Sequence, residues 1–219
     1  MAEIQQVEIP VSESAAVFGD LTLPADARGA VVFAHGTGSG RHSPRNRQVA
    51  EALIARGMAT LLMDLLTEQE EAADRRGAAT RFDIGLLARR LQLAADTLAA
   101  NPVTASLPLG YFGASTGAAA ALVAAAGDAR VTAVVSRGGR PDLAGNALPA
   151  VRAPTLLIVG GDDPTVLDLN RQAMDAMRCE RDLAVVDGAT HLFEEPGALE
   201  QVAALAADWF GSRLAHGGA

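Results

Sequence analysis

Ser115 stands between two glycines in the stretch Gly113-Ala114-Ser115-Thr116-Gly117. An apolar run, "LPLGYF", leads into it and an alanine-rich run, "GAAAALVAAAG", leads out. A strand that turns at once into a helix holds the residue at the bend in a strained, left-handed conformation, with its side chain lifted out of the sheet. The pattern G-x-S-x-G marks such a bend, and a serine placed there is an exposed nucleophile. Glycines are required at 113 and 117 because Cβ atoms there would collide across the turn, while Ala114 and Ala118 keep the neighbourhood small. Strand, motif and helix together favour this reading over a packing turn of small residues.

A serine hydroxyl attacks only when a base takes its proton. His191, in "DGATHLFEEPG", follows the last β-prone run and precedes the last helical pattern. His35 and His42 come before the serine and His216 lies in the tail, so His191 fits the chain order Ser, then acid, then His. The base needs a carboxylate that orients the imidazole and stabilises its cation. "GGDDPTV" offers Asp162 and Asp163 at the end of a strand. The oxyanion of a tetrahedral intermediate needs two aimed N–H donors, each worth ~3 kcal/mol of barrier. One is the backbone N–H of Thr116, at the start of a helix whose free N–H groups face the site. The other is expected from the loop "HGTGSG", at Thr37, with Gly36 as the alternative and His35 packed beneath. No G-K-[ST] follows this loop, so it is not read as a phosphate loop.

Short β-prone runs alternate with helical patterns along the chain, which predicts a mostly parallel sheet covered on both faces. The opening differs. "QQVEIPVS" and "AAVFGDLTLP" read as two strands without a helix between them, hence an antiparallel hairpin at one edge. "GAVVFAHG" is a buried strand. Ser43 and Pro44 cap the helix after it, with Val49, Leu53 and Ile54 as its apolar stripe. "MATLLMDLL" is a strand, and the acidic stretch "TEQEEAADRRG" reads as a mobile loop. A long helix is expected from about Arg81 to Ala100, with Leu87, Leu91, Ala94 and Leu98 at helical spacing. Four further strands, "LPLGYFGA", "RVTAVVSR", "APTLLIVG" and "RDLAVVD", complete about eight, with helical patterns after all but "RVTAVVSR". A doubly wound sheet of this kind binds ligands beyond the carboxyl ends of its strands, where Ser115, Asp162, Asp163, His191 and the loop "HGTGSG" fall. The core is expected over about 29–210, the N-terminal strands over about 5–24 and a frayed tail over 211–219, all in one domain.

The 219 residues carry a net charge of −8, and 49% are apolar. That supplies a substantial core and opposes non-specific binding to nucleic acid or anionic membranes. The start "MAEIQQVEIP" has neither the basic nor the apolar region of a signal peptide, and "GAAAALVAAAG" is too short to cross a bilayer. A cytoplasmic location is expected. The one cysteine, Cys179, cannot form an internal disulfide. No spacing of metal ligands or dinucleotide-binding fingerprint is present, so neither metal nor cofactor is expected. The oligomeric state is not encoded in any recognisable pattern.

"HGTGSG", "GASTGA", "GGDD" and "GATHLF", in this order, resemble the α/β-hydrolase superfamily. The short length and missing lid look like its dienelactone-hydrolase-like branch. The resemblance spans about Gly29 to Phe210. It implies an α/β-hydrolase fold without a cap domain and a Ser115–His191–Asp triad. The acid it implies is Asp163, three residues past Gly160 and three before Val166. Dienelactone hydrolases proper carry a cysteine nucleophile. Ser115 in its place turns the expectation from that lactone chemistry toward a serine carboxylesterase. The interval "GGRPDLAGNALPAVRA" is too short for an independent cap, which implies an open site for small esters.

Arginines gather at two strand ends. Arg41, Arg45 and Arg47 lie beside the oxyanion loop, and Arg137 and Arg140 bracket two glycines. The planar guanidinium suits carboxylates, so Arg41 and Arg137 are candidate contacts for an anionic substrate, with Gly36 nearby. Pairing with the protein's own carboxylates is the competing use. The expected reaction is cofactor-free ester hydrolysis through an acyl-enzyme. An acyltransferase or peptidase with the same triad, or a non-catalytic binding module on the same fold, are the alternatives.

Overall fold

The structure, a computed structural model, describes residues 3–214. Eight strands form one sheet in the order β1-β2-β4-β3-β5-β6-β7-β8. They are β1 (Ile4–Ser12), β2 (Ala15–Thr22), β3 (Gly29–Ala34), β4 (Met58–Met63), β5 (Leu109–Ala114), β6 (Val131–Arg137), β7 (Thr155–Gly160) and β8 (Arg181–Val186). β1 and β2 form the expected antiparallel hairpin at one edge, and β2 joins β4 antiparallel. From β4 to β8 every neighbouring pair is parallel. β3, β4, β5 and β7 are buried at every residue, which is why they read as unbroken apolar runs.

Six α-helices connect and cover the sheet: α1 (Pro44–Ala55), α2 (Glu68–Asp74), α3 (Ile84–Ala100), α4 (Thr116–Ala126), α5 (Pro164–Ala176) and α6 (Ala198–Leu214). The strand period of two divides the core. Tyr111 and Val134 pack with the α3 and α4 side, and Phe112 and Val135 with the α1 and α6 side. Phe33 and Phe112 meet in the second cluster with ring centroids 4.9 Å apart. Tyr111 donates its hydroxyl to the Leu91 carbonyl, tying α3 to the sheet centre. Among the described residues no helix is long and apolar enough to cross a membrane.

The chain leaves β3 for β4 on one side, then returns across to β5 on the other. Winding therefore reverses between β3 and β5. The crevice above that reversal is where such sheets hold ligands. The loops that leave β3 and β5 here are "HGTGSG" and the Ser115 bend.

Three expectations need correction. The acidic stretch is not a loop: Thr67 and Glu70 close a reciprocal capping box, and α2 runs from it. The T-x-x-E spacing was a legible helix start overshadowed by the charge run. The long helix starts at Ile84 rather than Arg81, because Asp83 accepts from the Leu86 N–H and caps it. Residues 211–214 continue α6, with Leu214 buried; the rest of the expected frayed tail lies outside the described residues.

Asp74 holds the segment between β4 and α3 together. Its buried carboxylate accepts from the backbone N–H groups of Thr80 and Arg81 and from the Arg81 guanidinium. Burial raises the pKa of this carboxyl, but the hydrogen bonds from Arg81 and Thr80 outweigh it and hold the group below its ordinary value of 3.8. A depressed carboxyl contributes stability above its unfolded pKa and loses it as pH falls through the folded value. In Asp74→Asn the Thr80 and Arg81 amides are therefore expected to exchange hydrogen faster at neutral pH, while the Leu91 amide in α3 does not. Wild type should approach the variant's behaviour only as pH drops below 3.8.

Candidate active site

Ser115 sits at the junction of β5 and α4 with φ 51° and ψ −121°. A non-glycine residue in this region carries ~1–3 kcal/mol of strain and persists only where its surroundings fix it. They do so through the backbone. The Ser115 N–H donates to the Arg137 carbonyl, and the Ser115 carbonyl accepts from the N–H groups of Ala118 and Arg140. The two flanking glycines leave room for the bend. A Cβ on Gly113 would lie 2.4 Å from Ala118 Cα, and one on Gly117 would lie 2.3 Å from the Ala34 carbonyl oxygen. Backbone contacts this short cannot be relieved by turning a side chain.

His191 follows β8 in the loop toward α6. Its Nδ1 is 2.7 Å from Asp163 Oδ2, at the end of β7. A ring nitrogen facing a carboxylate at this distance carries the proton and donates it, which leaves Nε2 as the acceptor. Asp162, the alternative acid, is exposed. The His191 loop is itself braced: Thr190 donates its hydroxyl to Glu195 Oε1, and Phe193 is fully buried at φ 55°. The turn after β6 passes close by, since a Cβ on Gly138 would stand 3.6 Å from His191 Cε1.

Ser115 and His191 line one cavity of about 200 Å³. Gly36, Thr37, Arg45 and Arg137 also line it. Gly36 comes close to the Ser115 bend; a Cβ there would meet Ser115 Cβ at 3.1 Å. Arg137 is 6% exposed, and among the described residues no carboxylate pairs with it. Its Nη2 donates to Asn46 Oδ1, and its Nε is buried without a hydrogen-bond partner. Burial, with help from the nearby Arg45 charge, pushes the Arg137 pKa down to about 10, so the side chain is still cationic at neutral pH. Arg45 is bonded to Glu194 at 3.0 Å.

Two candidate contacts stand differently from expectation. Arg41 does not line this cavity: its guanidinium is engaged by Asp64 and lies 3.4 Å from Asp20. It is used in the competing way, on the protein's own acids. Thr37 does line the cavity, but its backbone N–H donates to Thr116 Oγ1 at 3.1 Å, and the two hydroxyls are 2.9 Å apart. The N–H expected to face an oxyanion is thus occupied by the side chain of the other expected donor. His35 lies under the loop as anticipated, with Nδ1 toward the Gly36 carbonyl and Nε2 accepting from the Leu65 N–H.

The sequence reading missed Asn46 and Asn170. Asn46 lies on the buried face of α1 with Val49, Ala50 and Leu53. A polar residue at helical spacing within an apolar stripe was a usable signal, because such a residue must find a buried partner. Asn170, fully buried on α5, donates to the Gly139 carbonyl and so clamps the turn that carries Arg137 to Arg140. Its pairing is long-range, and no local pattern announces it.

This sheet and its strand-end loops define an α/β-hydrolase fold. The profile of the dienelactone hydrolase family matches residues 18–212, and the chain belongs to that family. A solved dienelactone hydrolase from Anabaena variabilis superposes with a TM-score of 0.94 at 55% identity, covering 97% of this chain and 99% of that one. Est1E from Butyrivibrio proteoclasticus shares the fold, with a TM-score of 0.77 at 14% identity over 94% of this chain and 97% of its own. A Mycobacterium tuberculosis protein provisionally described as a phosphoribosyl transferase is 62% identical over 210 residues, which is 95% of this chain and 45% of that protein. The chain thus spans about half the length of the curated relatives it matches.

Gly117→Ala forces a methyl group against the β3 backbone. It is expected to lower stability by on the order of 3 kcal/mol or more, measured by urea unfolding. Ala118→Gly, one residue on and without that collision, should cost about 1 kcal/mol, the helix-propensity difference, plus a small packing loss.

Proposed function

We propose that the protein is a serine hydrolase that cleaves small carboxylic esters, with a preference for substrates bearing a negative charge. One observation carries the reading: a serine held at positive φ on a strand–helix bend shares a cavity with a histidine whose far nitrogen is bonded to a buried-side carboxylate. In the proposed reaction His191 Nε2 takes the Ser115 proton as the hydroxyl oxygen attacks the ester carbonyl. Asp163 keeps the imidazole in the tautomer that can accept and stabilises its cation. The tetrahedral intermediate collapses, the alkoxide leaves with the proton from His191, and the acyl group stays on Ser115. Water then attacks the acyl-enzyme with His191 again as base, releasing the acid and restoring the serine.

The developing oxyanion is assigned to the N–H groups of Thr116 and Thr37. The Thr116 N–H begins α4 and has no intrahelical acceptor. The Thr37 N–H is held by the Thr116 hydroxyl in the free protein. An anionic oxygen is a stronger acceptor than a neutral hydroxyl and displaces it as charge develops. Breaking the resting bond offsets part of that gain, so this N–H stabilises the oxyanion less than a free donor would.

Charge preference rests on Arg137. A buried guanidinium without a carboxylate is an unbalanced cost, and an anionic group on the substrate offsets it. Acyl transfer to an alcohol and peptide hydrolysis use the same three residues. The small, open cavity favours small esters over peptides, and competing alcohols in a product assay separate transfer from hydrolysis. A non-catalytic binding module would leave Ser115 unreactive.

Ser115→Ala and His191→Ala are each expected to lower kcat by several orders of magnitude, toward the ~10⁶-fold seen where a triad acts as a unit. Activity within tenfold of wild type in either variant rules the assignment out. Arg137→Ala should raise KM for a carboxylate-bearing ester at least ~10-fold, the scale of one lost charge-assisted contact, and leave its neutral methyl-capped analogue little changed. Equal effects on the two esters would remove the charge preference and leave the hydrolase reading standing.

A further inference from the structure

A second cavity, of about 230 Å³, adjoins the first. Gly36, Thr37 and Ser39 line both. Ser115 faces the first and Thr116 the second, so the hydroxyl pair of Thr37 and Thr116 marks the partition. The two cavities differ in chemistry. The first holds the unpaired Arg137. The second has three leucines, Leu65, Leu66 and Leu87, and four charged residues that lie in pairs, the buried Asp74 bonded to Arg81 and the half-buried Glu71 3.8 Å from Arg75. Its histidine, His35, has both ring nitrogens engaged, and burial pushes its pKa below the ordinary 6.5, which keeps it neutral. No group in this second cavity asks for an anion or a cation.

We propose that this cavity is a subsite for an uncharged hydrocarbon group of the substrate, the size of a single six-membered ring. The inference rests on the ester-hydrolase reading of the neighbouring cavity and adds the identity of the group on the other side of the scissile bond. The volume admits one ring: an enclosed apolar cavity of ~150 Å³ holds one benzene in another protein, and this partly open cavity measures about 230 Å³. The shape follows from the chain. The wall formed by α2 and the turn Thr80–Phe82 is fixed by Asp74, so the subsite is built into the fold and precedes any ligand. The substrate class is accordingly an amphiphilic ester, with its charged end toward Arg137, its carbonyl at Thr116 and Thr37, and its ring against the leucines.

The test fills the subsite. Leu66→Phe and Leu87→Phe each add bulk to it without touching Ser115, His191 or Arg137. Three esters are compared: ethyl acetate, cyclohexyl acetate and methyl cyclohexanecarboxylate, the last two placing the ring on the alcohol or the acyl side. Both variants are expected to lose ~10-fold or more in kcat/KM on at least one ring ester, the scale set by small steric changes in apolar pockets, while ethyl acetate stays within threefold. Parallel changes on all three esters overturn the subsite. Calorimetric titration with cyclohexyl methyl ketone, which cannot be hydrolysed, reads the cavity without turnover. Binding to wild type that weakens in Leu66→Phe supports the subsite, and absent or unaltered binding overturns it. Labelling of Ser115 by a small fluorophosphonate separates the two readings: ketone binding with an unlabelled Ser115 keeps the subsite and sinks the hydrolase, whereas a labelled Ser115 with no ketone binding does the reverse.

Discussion

The bend at Ser115 constrains everything around it. An L-residue at φ 51° is strained, and three backbone hydrogen bonds hold it there, two with Arg137 and Arg140 at the end of β6 and one from Ala118 in the first turn of α4. Those bonds fix the residues that supply them. Arg137 accepts from the Ser115 N–H and Arg140 donates to its carbonyl, so the end of β6 is anchored to the bend. Asn170 then ties that turn to α5, whose first residues follow Asp163. The strand-end loops behave as one assembly, and the glycines at 113 and 117 give it the necessary clearance.

Charge is distributed unevenly about this assembly. Most arginines meet a carboxylate: Arg41 with Asp64, Arg81 with Asp74, Arg90 with Glu70, Arg130 with Asp128. An acidic chain has carboxylates to spare for this. Arg137, one of the most buried, has only a neutral amide as its bonded partner. Leaving a cation poorly matched in a cavity is costly for folding and useful for binding, because a ligand's charge then meets a group already stripped of water. In the neighbouring cavity, which carries three leucines, the buried Asp74 is paired with Arg81 and the half-buried Glu71 lies 3.8 Å from Arg75. The two environments meet at the Thr37–Thr116 pair, one residue from Ser115.

The sheet and its strand-end loops were legible because their signals are local. Buried parallel strands read as unbroken apolar runs, and the clearance that demands Gly113 is set by Gly117 and Ala118 across the bend, whereas that of Gly117 is set by the distant Ala34 carbonyl of β3. The pairing of His191 with Asp163 bridges 28 positions, yet it followed from chain order and family likeness. What escaped were interactions whose two halves look ordinary apart. Thr37 and Thr116 are 79 positions distant, and nothing in either neighbourhood says that a hydroxyl will occupy the N–H of the other. Arg41 and Arg137 look alike in sequence, and only the placement of Asp20 and Asp64 separates a structural arginine from one facing the cavity. The α2 helix was hidden by its own acidity, although its capping box was written in four residues.

The account stands on covalent chemistry at one hydroxyl. Wild-type protein turning over an activated carboxylic ester is quenched in acid within milliseconds, digested, and its peptides weighed. The mass of the carboxylic acid product, less one water, should appear on the peptide containing Ser115 and rise to a steady level as product accumulates. Turnover that proceeds with Ser115 unmodified, or with the acyl mass on another residue, contradicts it.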